Sequence, residues 1–238
     1  LLEKILSLPG KFRVRVSSLE PDPIDEQFVE LVGHEKFCPH LHICLQSGSD
    51  RVLFRMRREY DVDRYLALIS SIRHTWQKRG LSPNFTTDII VGFPGETDAD
   101  FSKTIEICKK IDFGHIHTFR YSSRTGTRAS RLPNMVPETV KIQRSLVIRK
   151  LAKEGNQRLL ERLIGQEQLI LVEKQEGNYS IGYGESYVRV RFPIVKHSSI
   201  GALQKVRLTE KIDEGLLLGM PEINGGSKQV KTQNKMRE

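Results

Sequence analysis

The sequence predicts an α/β protein: a partial barrel of alternating strands and helices, followed by a small all-β barrel. Three observations carry this. Between residues 13 and 121, apolar strand-like runs alternate with amphipathic stretches, the order of a parallel sheet with crossover helices. The run Asn-Phe-Thr-Thr-Asp-Ile-Ile-Val-Gly-Phe-Pro-Gly-Glu-Thr (84–97) passes from a buried strand through a tight glycine turn into a capped helix. After Gln166, short glycine-punctuated strand candidates replace the helices.

The elements follow in order. A helix over 1–8 is closed by Pro9-Gly10, and a strand over 13–18 leads to a helix over about 25–33. A strand over 40–45 precedes a helical segment from Ser49 and a longer helix over 61–78. The strand in 84–91, a helix over 97–110 and a fourth strand over 115–121 complete the alternation. Four strands are too few for an eightfold barrel of roughly 250 residues, and a missing N-terminal portion accounts for the shortage. A polar, arginine-rich loop follows. Pro137 fits the first turn of a long helix ending near Gly165. Val140, Val147, Leu151, Leu159 and Leu163 give that helix an apolar stripe, and Gly155 in its middle should weaken it. Strand candidates at 168–173, 179–183, 187–192 and 204–209 form the β unit. The organisation is a partial barrel over 1–135, a connecting basic helix over 136–165 and a β-barrel over 166–222. The polar tail over 223–238 is expected to be disordered.

Hydrophobic residues make up 38% of the 238, enough for a core, and no apolar run approaches membrane-spanning length. No signal peptide opens the chain, so a cytoplasmic protein is expected. Cys38, Cys44 and Cys108 form no Cys-x-x-Cys pair and imply no disulfide framework. His40/His42 and His115/His117 alternate along strands, so each pair shares a face. Such pairs can hold a metal, but ordinary interior or surface histidines are the commoner case, and no metal ligand is assigned. The net charge is +9. Residues 120–162 hold eleven Lys/Arg against three acids, which points to a polyanion such as RNA; the competing reading is a solvated helix face.

Turns at the C-terminal ends of barrel strands build active sites. A cofactor can lie close over Gly92, which has no side chain to block it, with Asp88 and Glu96 as polar contacts. The alternative is purely structural: Thr97 and Asp100 as a capping box, Gly95 as a turn residue.

Four motifs in register carry a family resemblance. They are Arg-Val-Arg-Val-Ser-Ser-Leu-Glu-Pro (13–21), His-Leu-His-Ile-Cys-Leu-Gln-Ser-Gly-Ser-Asp-Arg-Val-Leu (40–53), the run at 84–97, and His-Thr-Phe-Arg-Tyr-Ser-Ser-Arg-Thr-Gly-Thr-Arg-Ala (117–129). Together they resemble the radical-SAM methylthiotransferases, over most of the chain to about residue 222. Met-Arg-Arg-Glu-Tyr (56–60) and Gly-Tyr-Gly-Glu-Ser-Tyr-Val-Arg-Val (182–190) resemble the branch acting on threonylcarbamoyladenosine beside the tRNA anticodon.

The resemblance implies a partial radical-SAM barrel followed by a TRAM or OB-like β-barrel, with tRNA as partner. It implies S-adenosyl-L-methionine and 4Fe-4S clusters, and chemistry in which a 5′-deoxyadenosyl radical opens the way for insertion and methylation of sulfur. The family's Cys-x-x-x-Cys-x-x-Cys loop precedes the region seen here. The chain is therefore expected to be a C-terminal portion, inactive alone, whose missing N-terminal portion supplies the clusters. By resemblance and position, Glu20, Gln46 and Ser47 face the cofactor mouth, Ile90 and Gly92 pack on adenine, and Phe119 and Tyr121 present aromatics there. Arg124, Arg128 and Arg131 suit phosphate oxygens. Tyr183, Tyr187, Arg189 and Arg191 suit RNA stacking and backbone contacts, with Tyr187, Arg189 and Arg191 expected on one strand face. Core packing competes for the aromatics and a solvated loop for the arginines. Two other functions stay open: the isopentenyladenosine branch, and a non-catalytic RNA-binding protein.

Overall fold

The computed structural model describes residues 1–195, 198–213 and 215–221; the tail expected at 223–238 and residue 222 lie outside them. Two short helices, α1 (Leu2–Leu6) and α2 (Glu26–Leu31), precede strand β1 (His40–His42). Helices α3 (Asp50–Arg55) and α4 (Val62–Lys78) lead to β2 (Asn84–Val91), and α5 (Asp98–Ile111) to β3 (His115–Arg120). The long α6 (Glu138–Leu163) then enters β4 (Glu167–Glu176), β5 (Tyr179–Tyr183), β6 (Arg189–Pro193), β7 (Leu203–Asp213) and β8 (Leu216–Pro221).

Strands β1, β2 and β3 form one parallel sheet in that order. The strand expected at 13–18 is reduced to single bridges, Val14 to Phe37 and Leu19 to Ile43. Ser18 takes a φ of 62°, which turns the chain out of the pleat just before Leu19. Alternation divides the sheet into two faces. Leu41, Phe85, Ile89, Val91 and Ile116 are buried beneath the helices. Helix α4 covers them because Val62, Tyr65, Ile69, Ile72 and Trp76 fall on one side of it. Its buried polar atoms find partners: Tyr65 Oη donates to the Ile43 carbonyl at 2.7 Å, and Trp76 Nε1 to that of Val32 at 2.9 Å. Asp61 caps its start by accepting from the Arg64 N–H.

The last five strands close into a barrel, β4-β5-β6-β8-β7, in which β6 and β8 run parallel. Strand β8 was not among the sequence expectations. Its Gly219 lies under Val206 and Val190, so packing on the barrel selects the strand despite a weak local signal.

Helix α6 serves two cores. Ile148 and Ala152 pack with the α/β core, whereas Leu159, Leu160 and Leu163 belong to the barrel core. The expected stripe holds at Leu159 and Leu163, which are buried, and at Leu151, which packs on the α/β core; Val147 is exposed, and the buried face also takes in Arg144, Ser145, Ile148, Ala152, Gly155 and Leu160. Pro137 sits one place earlier than expected, at the N-cap. Gly155 has a packing reason. A Cβ there would press into the Phe113 carbonyl oxygen, so glycine allows the close approach of α6 to the loop before β3.

Candidate functional site

The sheet face turned away from the helices and one end of the β-barrel enclose a cavity of about 620 Å³. Alternate residues of the three strands form its floor: His40 and His42, Thr86 and Asp88, then His115, His117 and Phe119. The barrel contributes Tyr183, Tyr187 and Arg189, and the segment before α2 contributes Arg15. Arg13 ties the two units together by donating to the carbonyls of Leu169 at 2.5 Å and Tyr183 at 3.2 Å. Asn84 Nδ2 does the same to the Ser186 carbonyl at 2.8 Å.

Tyr187 lies in the turn before β6 with a φ of 59°, rather than on the strand as expected. The turn aims its ring into the cavity, where it stacks on Tyr183 and on His40, each with centroids 4.8 Å apart. The Arg15 guanidinium lies 3.7 Å from the Tyr187 centroid. Burial, helped by Arg15, pushes the His40 imidazole down to about 3, so it is neutral near pH 7. Burial also lowers His42, against the pull of Asp88, and lowers His115. The cavity thus offers neutral imidazoles, aromatic rings, two guanidiniums and one carboxylate. That set suits a planar heterocycle attached to a phosphate.

The structure gathers Phe119, Tyr183, Tyr187 and Arg189 around this cavity. Arg191 shares the outer face of β6 with Arg189 but does not line the cavity; its guanidinium lies 3.9 Å over the Tyr179 ring. Arg124, Arg128 and Arg131 are exposed, and their side chains have no hydrogen-bond or ion-pair partner among the described residues. Several other cations of 120–162 are engaged in the fold: Arg120 with Glu138, Arg144 with Glu96 and Asp98, Arg158 and Arg162 with Asp112. The basic stretch is therefore partly an intramolecular ion-pair network, and its free charge concentrates in the arginine loop. Arg15 was missed; the alternation Arg13-Val14-Arg15 beside an aromatic-rich unit is the only sequence signal that could have found it.

The glycine turn is closed. The aliphatic chain of Lys141 lies against Gly92, in the place a Cβ would occupy. The Gly92 N–H donates to Glu96 Oε2 at 2.6 Å, and Arg144 Nη1 donates to the same oxygen at 2.6 Å. Burial pushes the Glu96 carboxyl up, opposed by the Gly92 N–H and Arg144. Glu96 is a buried lock between the turn and α6, not a contact at a mouth. Thr97 and Asp100 form the capping box in full. Ile90 is half-buried on β2. Tyr121 packs edge-on against Phe93 at 5.2 Å, with the Lys141 ammonium 5.6 Å from its centroid. Gln46 is buried with a φ of 61°, and Ser47 is buried 3.5 Å from the Thr104 hydroxyl. Glu20 accepts from Arg58 Nη1 at 2.8 Å, while its Oε2 is buried with no hydrogen-bond partner among the described residues. Glu20, Gln46, Ser47, Ile90, Gly92 and Tyr121 do not line the cavity.

Residues 1–108 match the model of the radical SAM superfamily. The chain is 40% identical over 222 residues to the threonylcarbamoyladenosine tRNA methylthiotransferase MtaB of Thermotoga maritima, covering 91% of this chain and 49% of the relative. MtaB of Chlamydia pneumoniae is 35% identical over 91% of this chain and 51% of its own. The tRNA-2-methylthio-N(6)-dimethylallyladenosine synthase of Caldicellulosiruptor saccharolyticus is 38% identical over 73% of this chain and 36% of its own. The chain carries a radical SAM domain and is homologous to the tRNA methylthiotransferases. It spans about half the length of the MtaB relatives it matches. No helix among the described residues is long and apolar enough to cross a membrane.

Radical SAM enzymes use S-adenosyl-L-methionine and a 4Fe-4S cluster. The cysteines here do not fit a cluster. All three are buried, and burial raises each thiol, Cys44 and Cys108 to about 12. Thiolate ligation needs three depressed, converging thiols. Cys44 instead donates to Asp88 Oδ2 at 3.6 Å, and no cysteine joins another in a ligand group among the described residues.

Proposed function

We propose that this chain is the RNA-recognising C-terminal part of a radical-SAM tRNA methylthiotransferase, and that the target nucleoside enters the cavity between the sheet and the β-barrel. The observation that carries the reading is the Tyr183–Tyr187–His40 stack with Arg15 and Arg189 at the same opening. Stacked rings hold a base without regard to its identity, and guanidiniums hold its flanking phosphates. Arg124, Arg128 and Arg131, exposed in the loop after β3, supply further guanidiniums for phosphates. The barrel then acts as a TRAM-type module, orienting the anticodon arm over the sheet.

Similarity to MtaB over 91% of the chain favours N6-threonylcarbamoyladenosine as the nucleoside; similarity to dimethylallyladenosine synthases keeps the isopentenyl branch as the second reading. The residues here bind and orient RNA, and the cluster chemistry falls to parts outside this sequence. In a cytoplasmic tRNA-modifying enzyme the two parts act together. The test uses three anticodon stem-loops of one sequence, carrying unmodified, threonylcarbamoyl or isopentenyl adenosine. The reading expects binding of all three, tightest for the threonylcarbamoyl form. Tightest binding of the isopentenyl form transfers the chain to the other branch, and no binding of any removes the RNA role.

A further inference from the structure

We infer that His42, Asp88 and His117 form a site for one divalent transition-metal ion, of the zinc or ferrous kind, on the floor of the cavity. The register places them: Asp88 and His117 are Cα partners on β2 and β3, and His42 pairs with Thr86 on the adjoining strand, all on the same sheet face. One ligand atom from each lies within 4.8 Å of the others. His42 Nε2 is 3.3 Å from Asp88 Oδ1. A tetrahedral ion with bonds of about 2.0–2.1 Å holds its ligand atoms about 3.4 Å apart, so this pair already has ligand spacing. His117 is exposed, and a side-chain rotation brings it in.

The surroundings fix His42 and Asp88, as outer partners do in metal sites. Thr86 Oγ1 lies 3.0 Å from His42 Nδ1 and 3.2 Å from His40 Nε2. Its hydroxyl has one proton. In the His42 tautomer with its proton on Nδ1, Thr86 accepts from Nδ1–H and the Nε2 lone pair is free to ligate an ion beside Asp88 Oδ1. The Cys44 thiol occupies Asp88 Oδ2 and leaves Oδ1 for the ion. Two imidazoles and one carboxylate favour zinc, iron, cobalt or nickel over magnesium and calcium. The remaining coordination positions open to the cavity, where water or a polar atom of a bound molecule can fill them. This inference stands on the donor set and is independent of the RNA reading.

The test is a titration of the tag-free, chelator-stripped chain with Co²⁺, read by its visible d–d absorption, followed by Zn²⁺ competition. The inference expects one Co²⁺ per chain, displaced by Zn²⁺ and not by excess Mg²⁺. His117→Ala and Asp88→Asn should weaken binding roughly tenfold or more, while His34→Ala and His74→Ala, outside the cavity, leave it unchanged. His117 is exposed, so its variant keeps the fold, and circular dichroism verifies this. Absence of saturable binding, or binding unaltered in a folded His117→Ala chain, overturns the site.

Discussion

Gly155 lies in mid-helix, where propensity counts it as a weakness, yet the Phe113 carbonyl fills the space a side chain would need. Gly155→Ala therefore destabilises by about 1–3 kcal/mol despite a better helix former, and urea unfolding measures it. Stabilisation would show that α6 can move away from the β3 loop. His40 makes a prediction in pH. Its native imidazole titrates at about 3 against an ordinary 6.5, so below pH 6.5 the unfolded chain takes up a proton that the native chain refuses. Stability from this group is complete above about 6.5 and falls toward about 3, by at most roughly 1.4 kcal/mol per pH unit. Unfolding midpoints at pH 7 and 5 should differ less in His40→Gln than in the wild type. At this scale the sequence revealed residue types and alternation, including the two histidine pairs. It could not reveal that Lys141 covers Gly92 or that Arg144 binds Glu96, because both partners come from a helix some 45 residues further on.

Helices α2, α4 and α5 announce themselves through Asp25, Asp61 and the Thr97/Asp100 box, because caps and periodicity are local. Their positions agree with expectation to within a residue or two. Long-range pairing decides the rest. The segment at 13–18 fails as a strand at Ser18, β8 forms on barrel packing, and α6 divides its buried face between two cores. The Glu96–Arg144 lock is the contact most specific to this arrangement. Arg144→Met strands a buried carboxylate and should cost about 3–5 kcal/mol near pH 8. The loss should shrink at pH 5, because burial already raises the Glu96 carboxyl and protonation removes the orphaned charge. An equal loss at both pH values contradicts the lock. Leu160→Ala, at the fully buried end of α6, should cost about 2–5 kcal/mol, read by the same unfolding assay.

Across the whole molecule, the family was readable from four motifs, but the cavity was not. Its walls come from residues 15, 40, 117 and 187, which no local pattern connects and only the docking of barrel on sheet unites. The chain alone should show no reductive cleavage of S-adenosyl-L-methionine after anaerobic iron and sulfide reconstitution, because its three thiols are buried and apart. Stoichiometric four-iron incorporation with cleavage would contradict that. The central claim is that RNA is held at the junction of the two units by Arg15 and Arg189. Its most direct test is the salt dependence of anticodon-arm binding. For about four neutralised phosphates, log affinity should fall with log salt at a slope of roughly −3 to −4, and the Arg15→Ala/Arg189→Ala chain should bind more weakly with the slope flatter by about one to two units. Equal affinity and an equal slope in the double variant would place RNA, if bound at all, away from this cavity.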